Sequence, residues 1–78
     1  MSYRLELRLA SDDVGSRVVI RWRRLAAGGR DEIADVLGVL TRADGDAFTV
    51  RKSDGQEVTV PRHRALGGKV IPPPPARP

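Results

Sequence analysis

The stretch AFTVRKSDGQEVTV, residues 47–60, decides the fold. Phe48 and Val50 alternate with polar residues, as do the two valines near its end, so each half is predicted to be a strand with one buried face. The SDG turn between them fits a three-residue loop with Gly55 in the left-handed backbone conformation. This loop sets Val50 opposite Val58, whereas a two-residue loop would set charged side chains opposite apolar ones. The stretch therefore predicts an antiparallel hairpin in a defined register.

Other segments of the chain show the same two-residue period or end at turn residues. The predicted strands are 17–25, 33–42, 47–52, 57–60 and 69–71. Pro61 ends the fourth strand, and the proline-rich end of the sequence cannot pair in a sheet. We therefore expect an all-β chain. It would comprise an N-terminal extension with an extra strand (1–13), a small five-stranded SH3-like barrel (14–71) and a polyproline tail or linker (72–78).

The expected core lies on one face of these strands and consists of Val18, Ile20, Trp22, Phe48 and Val50. Gly38 lies at the centre of the second predicted strand, where a glycine favours a bend or bulge. If no bulge shifts the pairing of these two strands, the turn at 43–45 pairs Leu40 with Phe48. The strands are expected to close around this core and to leave no cavity for chemistry.

Length and composition exclude several classes of protein. The chain has 78 residues, enough for one domain, and no Cys, so it has neither a disulfide framework nor a thiolate metal site. No apolar run reaches the roughly 20 residues that a membrane-spanning helix needs, and charges interrupt the apolar N-terminus as they would not in a signal peptide. We predict a cytoplasmic protein that has no membrane contact, metal or cofactor.

The sequence predicts no catalytic residue. His63, the one histidine, lies between two arginines, and no Ser or Asp has the spacing of a catalytic triad. Asp44 and Asp54 lie in turns, where aspartate is favoured for its hydrogen bonds to the backbone. The Gly-Gly-Lys ending at Lys69 lacks the earlier glycine and the following Ser or Thr of a phosphate-binding loop. We therefore predict that this chain alone is not an enzyme.

Cationic residues form the candidate interaction surface. They are Arg17, Arg21, Arg23, Arg24, Arg30, Arg62, Arg64 and Lys69. A net charge of +4 and an isoelectric point near 10.7 permit contacts with nucleic-acid phosphates, although charges of both signs are interspersed. An excess of arginine over lysine is also typical of proteins from GC-rich genomes. A nucleic-acid-binding basic β-barrel is therefore the alternative reading.

Four short motifs follow one another in a fixed order. They are VGSRVVIR (14–21), DVLGVL (35–40), VTVPR (58–62) and KVIPPP (69–74). Together they resemble the N-terminal SH3-like domain of actinobacterial GNAT-family N-acetyltransferases. The resemblance implies an accessory domain that positions the GNAT catalytic domain in cis or another protein. It also implies that acetyl-CoA is bound only by a catalytic domain that follows the proline-rich linker.

Partner contacts are expected on loops and at an open strand. Loops of small barrels commonly carry recognition, which here points to residues 25–33 and 43–46. Residues Tyr3–Leu9 alternate like a strand but have no obvious partner, so they are expected to pair at an edge of the barrel or to project from it, and an open edge there invites pairing with a second copy of the chain. Residues 72–75 read as a spacer or as a ligand for an aromatic groove.

Overall fold

The computed structural model describes residues 6–72. Its strands are β1 (Arg17–Leu25), β2 (Asp31–Ala43), β3 (Ala47–Arg51), β4 (Glu57–Pro61) and β5 (Ala65–Val70). Two 3₁₀ turns lie at Ser11–Asp13 and Arg62–Arg64. All pairs of neighbouring strands are antiparallel, and the sheet order is β4-β3-β2-β1-β5. The prediction of an all-β chain with five strands is confirmed.

The sheet is barrel-like but open, so the prediction of a closed barrel is wrong. Within residues 6–72, β4 and β5 are the two edges and do not pair with each other. One side of β5 pairs with β1, and its other side meets the N-terminal segment through a parallel bridge between Leu7 and Gly68. This bridge lies in the predicted extra strand. Residues 1–5 of that strand, and 73–78 of the predicted polyproline tail, fall outside the described residues.

The β3–β4 hairpin has the register that its loop predicts. Val50 lies opposite Val58, and Phe48 lies opposite Val60. The amide of Lys52 donates to the carbonyl of Gln56 at 2.8 Å and closes a three-residue loop. Gly55 takes a φ of 87°, the left-handed conformation that this loop requires of a glycine.

Strand β2 serves both halves of the sheet. It pairs with β1 up to Val39 and with β3 from Val39 onward. Gly38 lies at this change of partner, where an added Cβ would come 2.2 Å from the carbonyl oxygen of Arg51. The close approach of β3 explains the glycine, which lies where β2 passes from one half of the sheet to the other.

The register between β2 and β3 differs from the one expected. Leu40 lies opposite Val50, and Ala43 lies opposite Phe48. The pairing shifts between Leu40 and Arg42, so β2 carries one extra residue there. The turn also lies further along the chain than predicted, since the amide of Asp44 donates to the carbonyl of Ala47 at 3.1 Å, and the predicted Leu40–Phe48 pair is therefore wrong.

The core contains eight aliphatic or aromatic side chains that are at most 6% exposed: Leu9, Val18, Ile20, Val36, Leu40, Phe48, Val50 and Val60. Four of the five predicted core residues are fully buried. Trp22 is half-buried and packs against the core from its margin. Leu9 belongs to the predicted N-terminal extension, yet it is only 6% exposed. The division into an extension, a domain and a tail stays a prediction.

The last strand is longer than its sequence suggests. It begins at Ala65 and includes the Gly67-Gly68 pair, which lies opposite Arg21 and Ile20 of β1. Among the described residues no helix is long and apolar enough to cross a membrane.

Candidate interaction surface

Strand β1 presents two faces with different chemistry. Val18 and Ile20 point into the core, whereas the odd-numbered positions from Arg17 to Leu25 point outward. The outer face contains Arg17, Arg21 and Arg23, so three of the predicted cationic residues share it.

Two of the predicted cations are held by carboxylates of β2. Arg21 binds Asp35 through two parallel contacts, Nε to Oδ1 at 2.9 Å and Nη2 to Oδ2 at 3.1 Å. The hydrogen bonds from Arg21 lower the pKa of Asp35, and those to Asp35 raise the pKa of the guanidinium. Arg24 forms an ion pair with Glu32, which lies directly opposite it in β2.

Two others stabilise the fold. Arg64 donates to the backbone carbonyl of Arg23 at 3.2 Å and to Asp31 at 3.0 Å. The guanidinium carbon of Arg62 lies 4.6 Å from the centre of the Phe48 ring, an arrangement that permits a cation–π interaction. Its Nε also donates to the backbone carbonyl of Asp44 at 3.2 Å.

The remaining four are Arg17, Arg23, Arg30 and Lys69, whose side chains form no ion pair or hydrogen bond with other residues of the 6–72 range. Lys69 lies opposite Val19 and therefore shares the outer face with Arg17. Arg30 ends the β1–β2 loop, and its carbonyl accepts from the amide of Ala26 at 2.8 Å. The predicted cations thus divide into four that are bound within the chain and four that point to solvent.

Exposed aliphatic side chains lie at the far end of the β1–β2 hairpin. Leu25 is 60% exposed and Ile33 is 57% exposed, and they are diagonal neighbours on the outer face. Arg23 lies directly opposite Ile33. We call Arg23, Leu25 and Ile33 the hairpin patch. Leu37 is also 44% exposed on this face but lies beyond the Arg21–Asp35 ion pair.

The hairpin patch was only partly predictable. Residues 25–33 are predicted to contact a partner, and Leu25 and Ile33 are predicted to lie in the flanking strands, where the structure also places them. The missed signal is the alternation in β2, where Ile33 and Leu37 have the opposite parity to buried Val36. An apolar residue on each face of a strand indicates either a covered sheet or an exposed apolar face.

A shallow groove of about 300 Å³ lies on the inner face beside Trp22. Its apolar wall includes Trp22, Ala34 and Val58, and its rim includes Lys52 and Glu57. This groove is open to solvent, and the expectation that the strands leave no cavity for chemistry stays a prediction. The rim carries charges of both signs and no nucleophile with an adjacent base, so the groove lacks the arrangement of a hydrolytic site.

The aspartates in turns act on the backbone as their positions predict. Asp44 Oδ1 accepts from the amides of Asp46 and Ala47 at 2.8 and 2.9 Å, and these bonds lower the pKa of Asp44. Asp54 accepts from the amide of Gln56 at 2.9 Å in the second hairpin. Within the described part of the chain, no three residues among His, Cys, Asp and Glu form a group that could hold a metal ion.

Comparison with known proteins identifies the type of domain. The family model of the Rv0428c N-terminal Sm-like domain matches residues 12–69, about three quarters of the chain. No curated protein and no solved structure gives a match. An Sm-like domain is a small β domain of an accessory or interaction type, in agreement with the five-stranded barrel-like sheet. The chain belongs to the Rv0428c N-terminal Sm-like domain family.

Proposed function

We propose that this chain is a non-catalytic accessory domain that docks a partner protein on the hairpin patch. The observation that carries the proposal is the exposure of Leu25 and Ile33, 60% and 57%, at the end of a regular hairpin. Single exposed aliphatic residues are common on protein surfaces. Two exposed aliphatic neighbours on the same face of a strand pair instead favour an interface.

The chemistry of the patch fits a protein partner. Leu25 and Ile33 supply apolar area, and the guanidinium of Arg23 beside them is free of ion pairs with other described residues. Arginine beside apolar side chains is enriched at the centres of protein interfaces, where a few residues supply most of the binding energy. The backbone under the patch is held by the β1–β2 pairing, so little ordering is needed on binding.

The proposed partner is the catalytic domain of a GNAT-family N-acetyltransferase. Support comes from the ordered motifs at 14–21, 35–40, 58–62 and 69–74, which resemble those of the domain that precedes such catalytic domains. On this proposal the catalytic domain binds acetyl-CoA and performs the transfer. The present chain positions it or an acceptor protein.

The test is an NMR titration of the ¹⁵N-labelled chain with a GNAT catalytic domain from the same genome. We expect the largest shift changes at Arg23, Leu25 and Ile33. The double substitution Leu25→Asp with Ile33→Asp should weaken binding by about 30-fold or more, the effect of losing an interface residue worth about 2 kcal/mol. Shift changes confined to other surfaces, or an unchanged affinity of the double variant, would contradict the proposal.

The control is Val14→Asp, compared also with each single patch variant, since it places one carboxylate at an exposed aliphatic residue that is 45% exposed and lies outside the patch. It should bind as the parent does. Equal losses in Val14→Asp and in the double variant would show a general charge effect rather than docking on the patch.

Nucleic-acid binding is the second candidate, favoured by the shared outer face of Arg17 and Lys69. Four of the eight predicted cations are committed within the chain, so few are left to neutralise phosphates. Each phosphate contact contributes about 0.9 to the slope of log affinity against log salt for duplex DNA. A titration with DNA and RNA at about 50 mM salt tests this candidate, and no binding there removes it.

A further inference from the structure

The N-terminal segment lies along the outer edge of β5. The amide of Arg8 donates to the carbonyl of Gly68 at 2.8 Å, and the amide of Gly68 donates to the carbonyl of Glu6 at 3.0 Å. These two bonds engage the backbone groups of Gly68 that point away from β1. We call residues 6–9 the edge strap.

Side chains of the edge strap fit onto Gly68. Leu9 is 6% exposed and belongs to the core, and Leu7 packs against the core from its margin. A Cβ added at Gly68 would lie 3.0 Å from Cδ1 of Leu9 and 3.3 Å from Cδ1 of Leu7. The missing side chain of Gly68 therefore makes room for both leucines, and the strap is held by apolar packing as well as by the backbone.

An open sheet has two edges, and an uncovered edge offers unpaired backbone groups to another chain. The two edges here are β4 and β5. β4 ends at Pro61, which has no N–H to donate. β5 contains no proline and only one charged residue, Lys69, so its sequence offers little protection against pairing. Among the described residues, the edge strap is the element that covers this edge, and it does so at Gly68.

We infer that the edge strap guards β5, and that displacing it turns the β5 edge into a self-association site for a second copy of the chain. The alternation of Tyr3–Leu9 alone predicts pairing at an edge of the barrel, or with another copy if the segment projects from it. Since Leu7 pairs within its own chain, such association requires release of the strap. This inference is independent of the proposed docking on the hairpin patch.

The test compares Leu7→Asp with Arg8→Ala by sedimentation over a range of protein concentrations. Leu7→Asp places a carboxylate against the core and should free the strap. Arg8→Ala keeps the backbone amide and removes only an exposed ion pair with Glu6. We expect Arg8→Ala and the parent to sediment at the mass of one chain. Leu7→Asp should reach at least twice that mass as concentration rises.

Hydrogen exchange at the Gly68 amide reports the position of the strap directly. At protein concentrations too low for association, we expect exchange at least tenfold faster in Leu7→Asp than in the parent, with an unchanged far-UV spectrum. Adding the nonapeptide MSYRLELRL, residues 1–9, should return the variant to the mass of one chain by occupying the edge.

Gly68→Ala provides an independent way to displace the strap, because its methyl group would compete with Leu7 and Leu9. It replaces Leu7→Asp if that variant loses its far-UV spectrum. Fast exchange at position 68 without an increase in mass would overturn the inference. So would a parent that already associates, or a failure of both variants to free this amide.

Discussion

Replacing Gly38 by alanine tests the close approach of β3 to β2 most directly. The added methyl carbon would lie 2.2 Å from the carbonyl oxygen of Arg51, 2.8 Å from its carbonyl carbon and 3.0 Å from a methyl carbon of Val50. Two of these atoms are backbone, so β2 and β3 have to separate by more than an ångström to restore ordinary contact. Overpacking lowers the free energy of unfolding by about 1–3 kcal/mol. A clash with backbone atoms is expected at the upper end of this range, about 3 kcal/mol.

Replacing glycine also reduces the conformational freedom of the unfolded chain, which stabilises the folded state by about 0.4–1 kcal/mol. Subtracting this gain from a clash cost of about 3 kcal/mol, we expect Gly38→Ala to lower the free energy of unfolding by about 2 kcal/mol. For a domain of this size that lowers Tm by about 8–16 °C. Thermal unfolding followed by Trp22 fluorescence and circular dichroism measures the change.

Gly45→Ala is the matched control for this substitution. Nothing lies within 4 Å of a Cβ added at Gly45, and its φ is not in the left-handed region. It should raise the free energy of unfolding by about 0.4–1 kcal/mol, because the unfolded chain loses freedom here as well and no clash opposes the gain. A Gly38→Ala variant as stable as the parent would refute the argument that β3 excludes a side chain at this position.

Three other substitutions test separate parts of the structure. Arg62→Ala removes the guanidinium over the Phe48 ring and should lower the free energy of unfolding by about 0.5–1 kcal/mol in urea titrations, whereas no change would argue against a stabilising cation–π contact. Leu9→Ala should lower the free energy of unfolding by about 2–5 kcal/mol in the same titrations if the extension contributes to the core. A smaller decrease would place Leu9 outside the core. Arg21→Gln should raise the pKa of Asp35 toward its usual value in an NMR titration of the carboxyl group. Because the pKa of folded Asp35 is lowered, its pairing stabilises the fold above the unfolded pKa, and this contribution is lost as pH falls through the folded pKa. An Asp35 pKa that does not respond to Arg21→Gln would contradict this assignment.

The parts of the fold that local chemistry determines could be predicted from sequence. The β3–β4 register follows from the two-residue period and from Gly55 in a three-residue loop. Gly38 predicts a bend or bulge in β2, but the position of the bulge between Leu40 and Arg42 could not be predicted, because no turn residue marks it there. The Thr41 hydroxyl between these residues donates to the carbonyl of Thr49 at 3.2 Å, a contact between strands that is invisible in the local sequence.

The candidate surface shows the same division. Alternation along β1 places Arg17, Arg21 and Arg23 on one face, as sequence reasoning can show. The contacts of Arg64 with Asp31 and of Arg62 with Phe48 join residues distant in sequence. Which cations remain free for a partner therefore depends on the tertiary fold, and composition alone overstates their number.

The position of β1 between β2 and β5 has a consequence for synthesis on the ribosome. Strands β1 to β4 follow one another as hairpins and can pair as they emerge, but β5 comes last and pairs with β1. Until Gly68 has left the exit tunnel, Leu9 lacks the glycine against which it packs. The nascent chain therefore completes its hydrophobic interior only when translation has passed the final strand, and earlier pauses would leave that leucine open to chaperones.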